Sequence, residues 1–469
     1  MGNSLKSLLA AVFGRRKAKQ TYSRSQPDHP ERIPVERFAS IKDTLQDANQ
    51  VSAPAITTTT TTTTAQTILP SDDSKSISAN KLMSTNNALQ DSKQVSASVA
   101  TTEAGSPSNV FSDFYLACRQ NNFEEAKKLL QDMTLDEVDR IEPNSSTALH
   151  SASYHGHSRI VELLLKAGAN RAILNKYRCI PYDEAKNDDI KELFLRIPNS
   201  NRLASCTGAI EWELVDEDVM GKAAEERNFI KSLYDNALKG NRINKMFENI
   251  ENNYVNKGLA NISSIKAIRR FFRKATEEQN AKWIITAYTA ETAFYSILNT
   301  EIAAGATQYQ SERRYIIALI SHHDSLEEYA FIGTAYRVMQ INKDDIQKYQ
   351  VDTLLMTKSF LSSSIDRKVV ELLSCRQVTA AQSETDDNPR CKADGTIIKT
   401  WVICKYQIKH RRTALYIEDM SQYANEAEIL IMPYSVFKVK KMEQVQYSYT
   451  ENVENATEIE LEECEEYDQ

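Results

Sequence analysis

The 469-residue chain carries 57 Lys and Arg against 64 Asp and Glu, a formal charge of −7, and 41% of its residues are hydrophobic. That is chain enough for two or three domains of ordinary globular composition, without the run of roughly 18 apolar residues that a membrane-spanning helix needs. The mildly acidic balance excludes a nucleic-acid binder working through bulk positive charge, and collagen, coiled-coil and disulfide-scaffold patterns are absent as well.

Residues 1–20 place Leu5, Leu8, Leu9, Val12 and Phe13 at helical spacing, followed by Arg15, Arg16, Lys17 and Lys19. This pattern predicts a short basic amphipathic helix. Its main basic cluster follows the apolar run, the reverse of a secretory signal, so a cytoplasmic protein is expected. Gly2 directly after Met1 permits N-myristoylation, although Lys6 stands where Ser or Thr is usual. One acyl chain plus a polybasic patch would tether the chain to the cytoplasmic face of an anionic membrane. An unmodified terminus and a nuclear-import patch are the alternatives.

Residues 21–110 read as a linker. From Ala39 to Val110 there is no aromatic residue, and Thr57 to Thr64 are eight consecutive threonines. Such a segment cannot bury a core and is expected to be a disordered spacer.

At Asp113 the composition changes, and Ala117, Ala152 and Ala185 recur at intervals of 35 and 33 residues. Periods in this range indicate stacked helical repeats. The central unit, SSTALHSASYHGHSRIVELLLKAGAN, resembles an ankyrin repeat from Thr147, Ala148, Leu149 and His150 through Gly156 and His157 to Leu163, Leu164, Gly168 and Ala169. The resemblance implies a module over residues 111–197 in which Leu163, Leu164 and Leu165 pack between repeats and Gly168 closes a helix. His150 would bond across the turn. So short an array is expected to lean on the domain that follows, with protein recognition or spacing as its role.

Residues 205–447 read as the domain that carries chemistry. A helix-rich part, roughly 210–325, contains Arg269, Arg270, Arg273 and Lys274 interleaved with Phe271 and Phe272. The aromatics are expected to pack and the basic residues to face solvent. Beyond residue 326 the pattern turns to strands, as in the alternation of Val402, Cys404, Tyr406 and Ile408 after the Asp394-Gly395 turn signal. Neither a P-loop, a dinucleotide-binding Gly motif nor a G-x-S-x-G elbow is present. The fold class expected is therefore α+β, a short helical solenoid followed by a mixed domain with a helical first part and a β-rich core.

Three motifs occur in order: GTAYRVM with Arg337, SFLSSSID with Ser362, Ser363 and Ser364, and NEAEILIMP with Glu426 and Glu428. Arg337 and Ser362 are 25 residues apart and Ser362 and Glu428 are 66 apart, with YTAETAFYSILN upstream and ALYIEDMSQYANEAEILIMPYSVFKV around the last motif. Taken together, this order resembles the arginine-specific mono-ADP-ribosyltransferases. The resemblance implies NAD as co-substrate, nicotinamide as leaving product and no metal. It gives Glu428 the stabilisation of positive charge developing on the ribose, and a bond to a ribose hydroxyl. Arg337 would hold an NAD phosphate, and Ser362 would hold NAD and orient Glu428, while Ser364 supports the strand. Glu426 would meet the incoming guanidinium and take its proton, and Tyr423 on the same loop would touch the acceptor. Val338 stands where a Gly commonly follows the motif Arg.

Residues 448–469 are expected to be an acidic disordered tail, with nine acidic side chains and no basic one from residue 451 onward. The seven cysteines, Cys118, Cys179, Cys206, Cys375, Cys391, Cys404 and Cys464, show no paired spacing and read as reduced thiols. No Cys/His set has zinc-site spacing, so no metal site is expected. The function expected is transfer of ADP-ribose from NAD to arginine of an acceptor protein, with a further partner for the repeats and no nucleic acid. An NAD glycohydrolase and a catalytically inactive interaction protein are the alternatives.

Overall fold

Most helices of the N-terminal array start at a residue whose side chain accepts a hydrogen bond from the first turn. Ser112 caps Asp113–Arg119, Asn122 caps Phe123–Leu130, Thr134 caps Leu135–Val138, Thr147 caps Ala148–His155 and Asn187 caps Asp188–Leu193. The helices Ala148–His155 and Ser158–Ala167 end on Gly156 and Gly168 at φ 78° and 91°, a left-handed conformation that a Cβ would penalise. Leu149, Ala152, Ile160, Val161 and Leu164 are buried between them, while Leu163 and Leu165 pack partly buried against the same core. His150 lies inside this core. Its Nδ1 accepts from Thr147 N at 3.2 Å and its Nε2 donates to Cys179 O at 3.1 Å, so the ring is neutral and burial drives its pKa down to about 4.

The computed structural model describes residues 110–196, 202–208, 212–214, 218–259, 261–262, 264–305, 311–342, 346–347, 349–373, 399–449 and 452–464. The expected terminal anchor at Gly2, nearly all of the linker and the Asp394-Gly395 turn lie outside them. The array and the domain after it belong to one compact unit.

That domain begins with strands β1 (Ala204–Gly208) and β2 (Trp212–Leu214), followed by a helical half. Its helices Val219–Lys239, Ile243–Asn249, Ile265–Glu278, Lys282–Thr289, Phe294–Ala303 and Ser311–His322 enclose a core centred on Tyr254, Phe271, Phe272 and Phe294. Phe271 and Phe272 pack as expected, but the basic cluster beside them does not face solvent throughout. Arg270 is buried and pairs with Asp136 and Asp139 of the array, and Arg273 reaches Asp136 too. A long guanidinium is the group that can span such a joint while keeping its charge paired.

The remaining strands are β3 (Gly333–Asn342), β4 (Leu354–Thr357), β5 (Leu361–Ser364), β6 (Lys399–Ile408), β7 (Ala414–Tyr416), β8 (Glu428–Ile431), β9 (Val436–Tyr449) and β10 (Asn452–Glu463). Among the described residues the sheet runs β2-β4-β9-β10-β6-β3-β5-β8-β7, with β1 parallel to β3 off this path. The alternation at Val402, Cys404, Tyr406 and Ile408 puts all four in one buried cluster with Ile429, Phe437, Ile459 and Leu461. The fold is α+β, as the sequence predicts.

The C-terminal segment corrects the sequence reading. Residues 452–463 are not a disordered tail but strand β10, antiparallel to β9 and parallel to β6, so the domain extends to Glu463 rather than 447. Ile459 and Leu461 point into the buried cluster of the sheet and Ala456 into a second one with Val338 and Ile403, while Glu458, Glu460 and Glu462 meet Arg367, Lys405, Lys409 and Lys440. The acidic residues are one face of a strand whose partners supply the opposite charge.

Candidate functional site

Strands β3, β5 and β8 are neighbours, and they carry Arg337, Ser362 to Ser364 and Glu428 in that order. Ser364 stands opposite Tyr336 on β3 and opposite Glu428 on β8. Ser362, Ser363, Ser364, Arg337, Glu426 and Glu428 are all buried. Two of the three hydroxyls find a carbonyl on the next element, while Ser362 Oγ is buried without a hydrogen-bond partner among the described residues. Ser363 Oγ donates to Ile429 O at 3.1 Å, and Ser364 Oγ donates to Glu426 O at 2.7 Å.

The loop that enters β8 holds the other carboxylate. Ala424–Glu426 form a 3-10 turn, and Ala427 follows at φ 45°, a left-handed conformation uncommon for a residue with a Cβ. Ser364 and the Ile365 N–H, which donates to Ala427 O at 3.2 Å, fasten this bend to β5. The bend separates two side chains only two residues apart and gives each carboxylate its own cationic partner.

Glu428 Oε1 accepts from both Nε (3.0 Å) and Nη2 (2.7 Å) of Arg202, and neither side chain has any solvent exposure. Arg202 Nη1 donates to Tyr288 O at 2.7 Å, and the guanidinium lies 4.3 Å from the Tyr288 ring centre and 5.3 Å from that of Tyr295. Glu428 Oε2 is buried without a hydrogen-bond partner among the described residues. Arg337 Nη1 donates to Ser362 O at 2.8 Å and to the carbonyl of Arg202. Arg337 thus holds the backbone of the residue that occupies Glu428.

Glu426 is gripped from both oxygens. Arg196 Nε donates to Oε1 at 2.9 Å and Nη2 to Oε2 at 2.8 Å, the bidentate fork that guanidinium geometry allows. Arg196 also meets Glu291 at 3.4 Å and sits 3.8 Å from the centre of the Tyr423 ring. Burial alone would lower the Arg196 pKa, but Glu426, Tyr423 and Glu291 outweigh it and raise it. Burial pushes the Glu426 carboxyl upward, and the charge of Glu428 adds to the push while Arg196 opposes it. Tyr423 is pushed up to about 12, chiefly by burial, and its hydroxyl donates to Glu291 at 2.9 Å.

The structure thus gathers Arg337, Ser362, Glu426, Glu428 and Tyr423 at one place. Val338 spends its side chain in a buried cluster with Leu203, Trp401 and Ile403, and its N–H donates to Leu203 O at 3.4 Å. Sequence reasoning missed Arg196, Arg202, Tyr288, Glu291 and Gln422. Tyr288 and Glu291 lie within YTAETAFYSILN, whose likeness to the family was the available signal. Nothing in the sequence marks the two arginines. Gln422 ties the loop to the helical array, its Oε1 accepting from Arg171 N at 3.1 Å and its Nε2 donating to Asn170 Oδ1 at 2.7 Å.

Residues 111–175 match the family model of ankyrin repeats, three copies. The helical array is an ankyrin module. Ala424 of the site loop belongs to the buried core of that ankyrin module. No curated protein matches the chain in sequence. Among solved structures, the ADP-ribosyltransferase Vis from Vibrio splendidus is 17% identical over 49% of this chain and 86% of that one, with a TM-score of 0.28. The type III effector XopAI from Xanthomonas axonopodis is 13% identical over 52% of this chain and 100% of that one, with a TM-score of 0.30. The ADP-ribosyltransferase HopU1 of Pseudomonas syringae is 14% identical over 47% and 87%, with a TM-score of 0.28.

Proposed function

We propose that the chain transfers ADP-ribose from NAD to arginine side chains of acceptor proteins, releasing nicotinamide. One observation carries the proposal: the Glu426 carboxylate holds a guanidinium through both oxygens while the Tyr423 ring stacks against it. That is the complement of an arginine acceptor, and it lies two residues from a second buried carboxylate.

NAD supplies a ribose whose bond to nicotinamide breaks with the electron pair leaving on nicotinamide. Glu428, a buried carboxylate, stabilises the positive charge that develops on the ribose carbon. Its Oε2, buried and lacking a partner among the described residues, fits a ribose hydroxyl donor. Arg337 provides a fixed cation for a phosphate, and Ser362, whose carbonyl Arg337 holds, would contact NAD beside it. Glu426, its pKa raised by burial, accepts a proton from the acceptor guanidinium as that nitrogen bonds to the ribose carbon. No residue in these steps needs a metal.

Water in place of arginine would make the same site an NAD glycohydrolase, but a bidentate carboxylate with an aromatic stack is not needed to hold water. The ankyrin module is proposed to bind a further protein, and residues 1–20 to hold the chain at an anionic membrane in the cytoplasm. Glu426→Gln tests the acceptor role. Transfer to agmatine is expected to fall on the order of 100-fold while nicotinamide release persists. Transfer that stays at the parent rate would sink the assignment.

A further inference from the structure

Both carboxylates that the proposed reaction requires are engaged by the chain's own arginines, although Glu428 Oε2 has no partner among the described residues. Arg202 fills Glu428 Oε1 with two donors and covers the Tyr288 ring, and Arg337 is turned to its carbonyl. Arg196 takes both oxygens of Glu426 and stacks on Tyr423. Glu428 has no solvent exposure, so a ribose hydroxyl cannot reach its open Oε2 while Arg202 lies against the carboxylate with nitrogens 2.7 and 3.0 Å from Oε1, and an acceptor arginine cannot use Glu426 while Arg196 does.

The origin of the two arginines matters. Arg196 follows the last helix of the array, Asp188–Leu193, and its cap Phe194, and Arg202 stands two residues before β1, which pairs with β3 at Ala204 and Val338. The same module is fastened to the site loop through Asn170, Arg171 and Gln422, and the Arg171 guanidinium lies 4.5 Å from the Tyr423 ring centre. It is fastened to the helical half through Asp136, Asp139 and Arg270.

We propose that Arg196 and Arg202 act as an internal inhibitor, in which Arg202 excludes the NAD ribose from Glu428 and Arg196 occupies the acceptor position at Glu426. The inference rests on the assignment of those two carboxylates made above. The energetics suit a reversible block. Removing both charges of an ion pair from water costs about as much as their attraction returns, so two buried pairs can favour the closed state by a margin no larger than the roughly tenfold that a ligand can overcome. A ligand that makes equivalent bonds, or a partner that draws the ankyrin module away, can shift such a balance. Apparent NAD affinity is reduced by the fraction of molecules in which Arg202 has left.

NAD binding to the full chain, Arg202→Ala and Arg202→Met tests this, with Arg196→Ala for the acceptor side. Each Arg202 variant is expected to bind NAD about tenfold more tightly than the parent, and Arg196→Ala to lower the KM for agmatine. Methionine preserves most of the buried volume should alanine fail to fold. In the unmodified chain, saturating NAD is expected to speed amide hydrogen exchange of residues 202–208. Equal NAD affinity in the parent and folded Arg202 variants overturns the proposal, as does NAD binding that leaves the exchange of 202–208 unchanged.

The outcomes separate this inference from the one beneath it. Equal affinities with nicotinamide release that depends on Glu428 would leave the transferase standing and remove the inhibitor. Tighter NAD binding by the Arg202 variants without nicotinamide release would keep the block and remove the catalytic assignment. Failure of every form to bind NAD would overturn both.

Discussion

Two carboxylates separated by one residue meet different partners here because of that residue. Ala427 at φ 45° turns the chain between Glu426 and Glu428, so one meets Arg196 over Tyr423 and the other meets Arg202 over Tyr288. At the same scale, His150 shows how burial fixes a protonation state. Its pKa of about 4 lies below the unfolded value near 6.5, so the unfolded chain binds more protons between those pH values. Stability from this group is complete above pH 6.5 and is lost as pH falls toward 4. A fall to pH 5 is expected to cost about 2 kcal/mol at His150, read as a lower urea midpoint. His322, also lowered to about 4 by burial, adds in the same direction. In His150→Gln the difference between pH 7 and pH 5 should shrink, and an undiminished difference would contradict the assignment. The motif residues Arg337, Ser362, Glu426 and Glu428 were legible because their order and spacing survive as sequence. Arg196 and Arg202 were not, since a lone arginine in a connection has no pattern until the fold brings a carboxylate to it.

Among elements, the ankyrin helices were readable from caps, glycines and a leucine run, all local signals. Strand β10 was hidden by composition, since its acidic residues suggested a solvated tail and its period-2 alternation of Ile459 and Leu461 is short. Its position between β9 and β6 makes a direct test available. Ile459→Ala is expected to cost about 2–5 kcal/mol in denaturant unfolding, the usual loss for a large core aliphatic, whereas a disordered tail would show no change. The helix Ile265–Glu278 carries a second lesson. Its apolar stripe was legible, but Arg270 was assigned to solvent because the Asp136 and Asp139 that receive it lie over 130 residues earlier in the chain. Arg270→Ala strands the buried Asp139 carboxylate and is expected to cost about 3–5 kcal/mol. A loss below about 1 kcal/mol would mean that the joint is held by apolar contacts alone.

For the whole molecule, the ankyrin module is built into the site rather than hung beside it. Its core includes Ala424 of the site loop, its Asn170 and Arg171 hold Gln422, and Arg196 at its end fills Glu426. Under the proposed function, binding at the repeats and chemistry at Glu428 would share one set of contacts, as coupling between two sites demands. In the proposed function Glu428 serves transfer of ADP-ribose. The most direct test measures transfer from labelled NAD to agmatine, together with nicotinamide release, for Glu428→Gln in both the native chain and the Arg202→Ala chain. Both rates are expected to drop by a factor of about 10²–10³ or more relative to their parents, the usual cost of removing a charge-stabilising group aimed at the reacting centre. Rates that stay within a few-fold of the parent in both backgrounds would contradict the account.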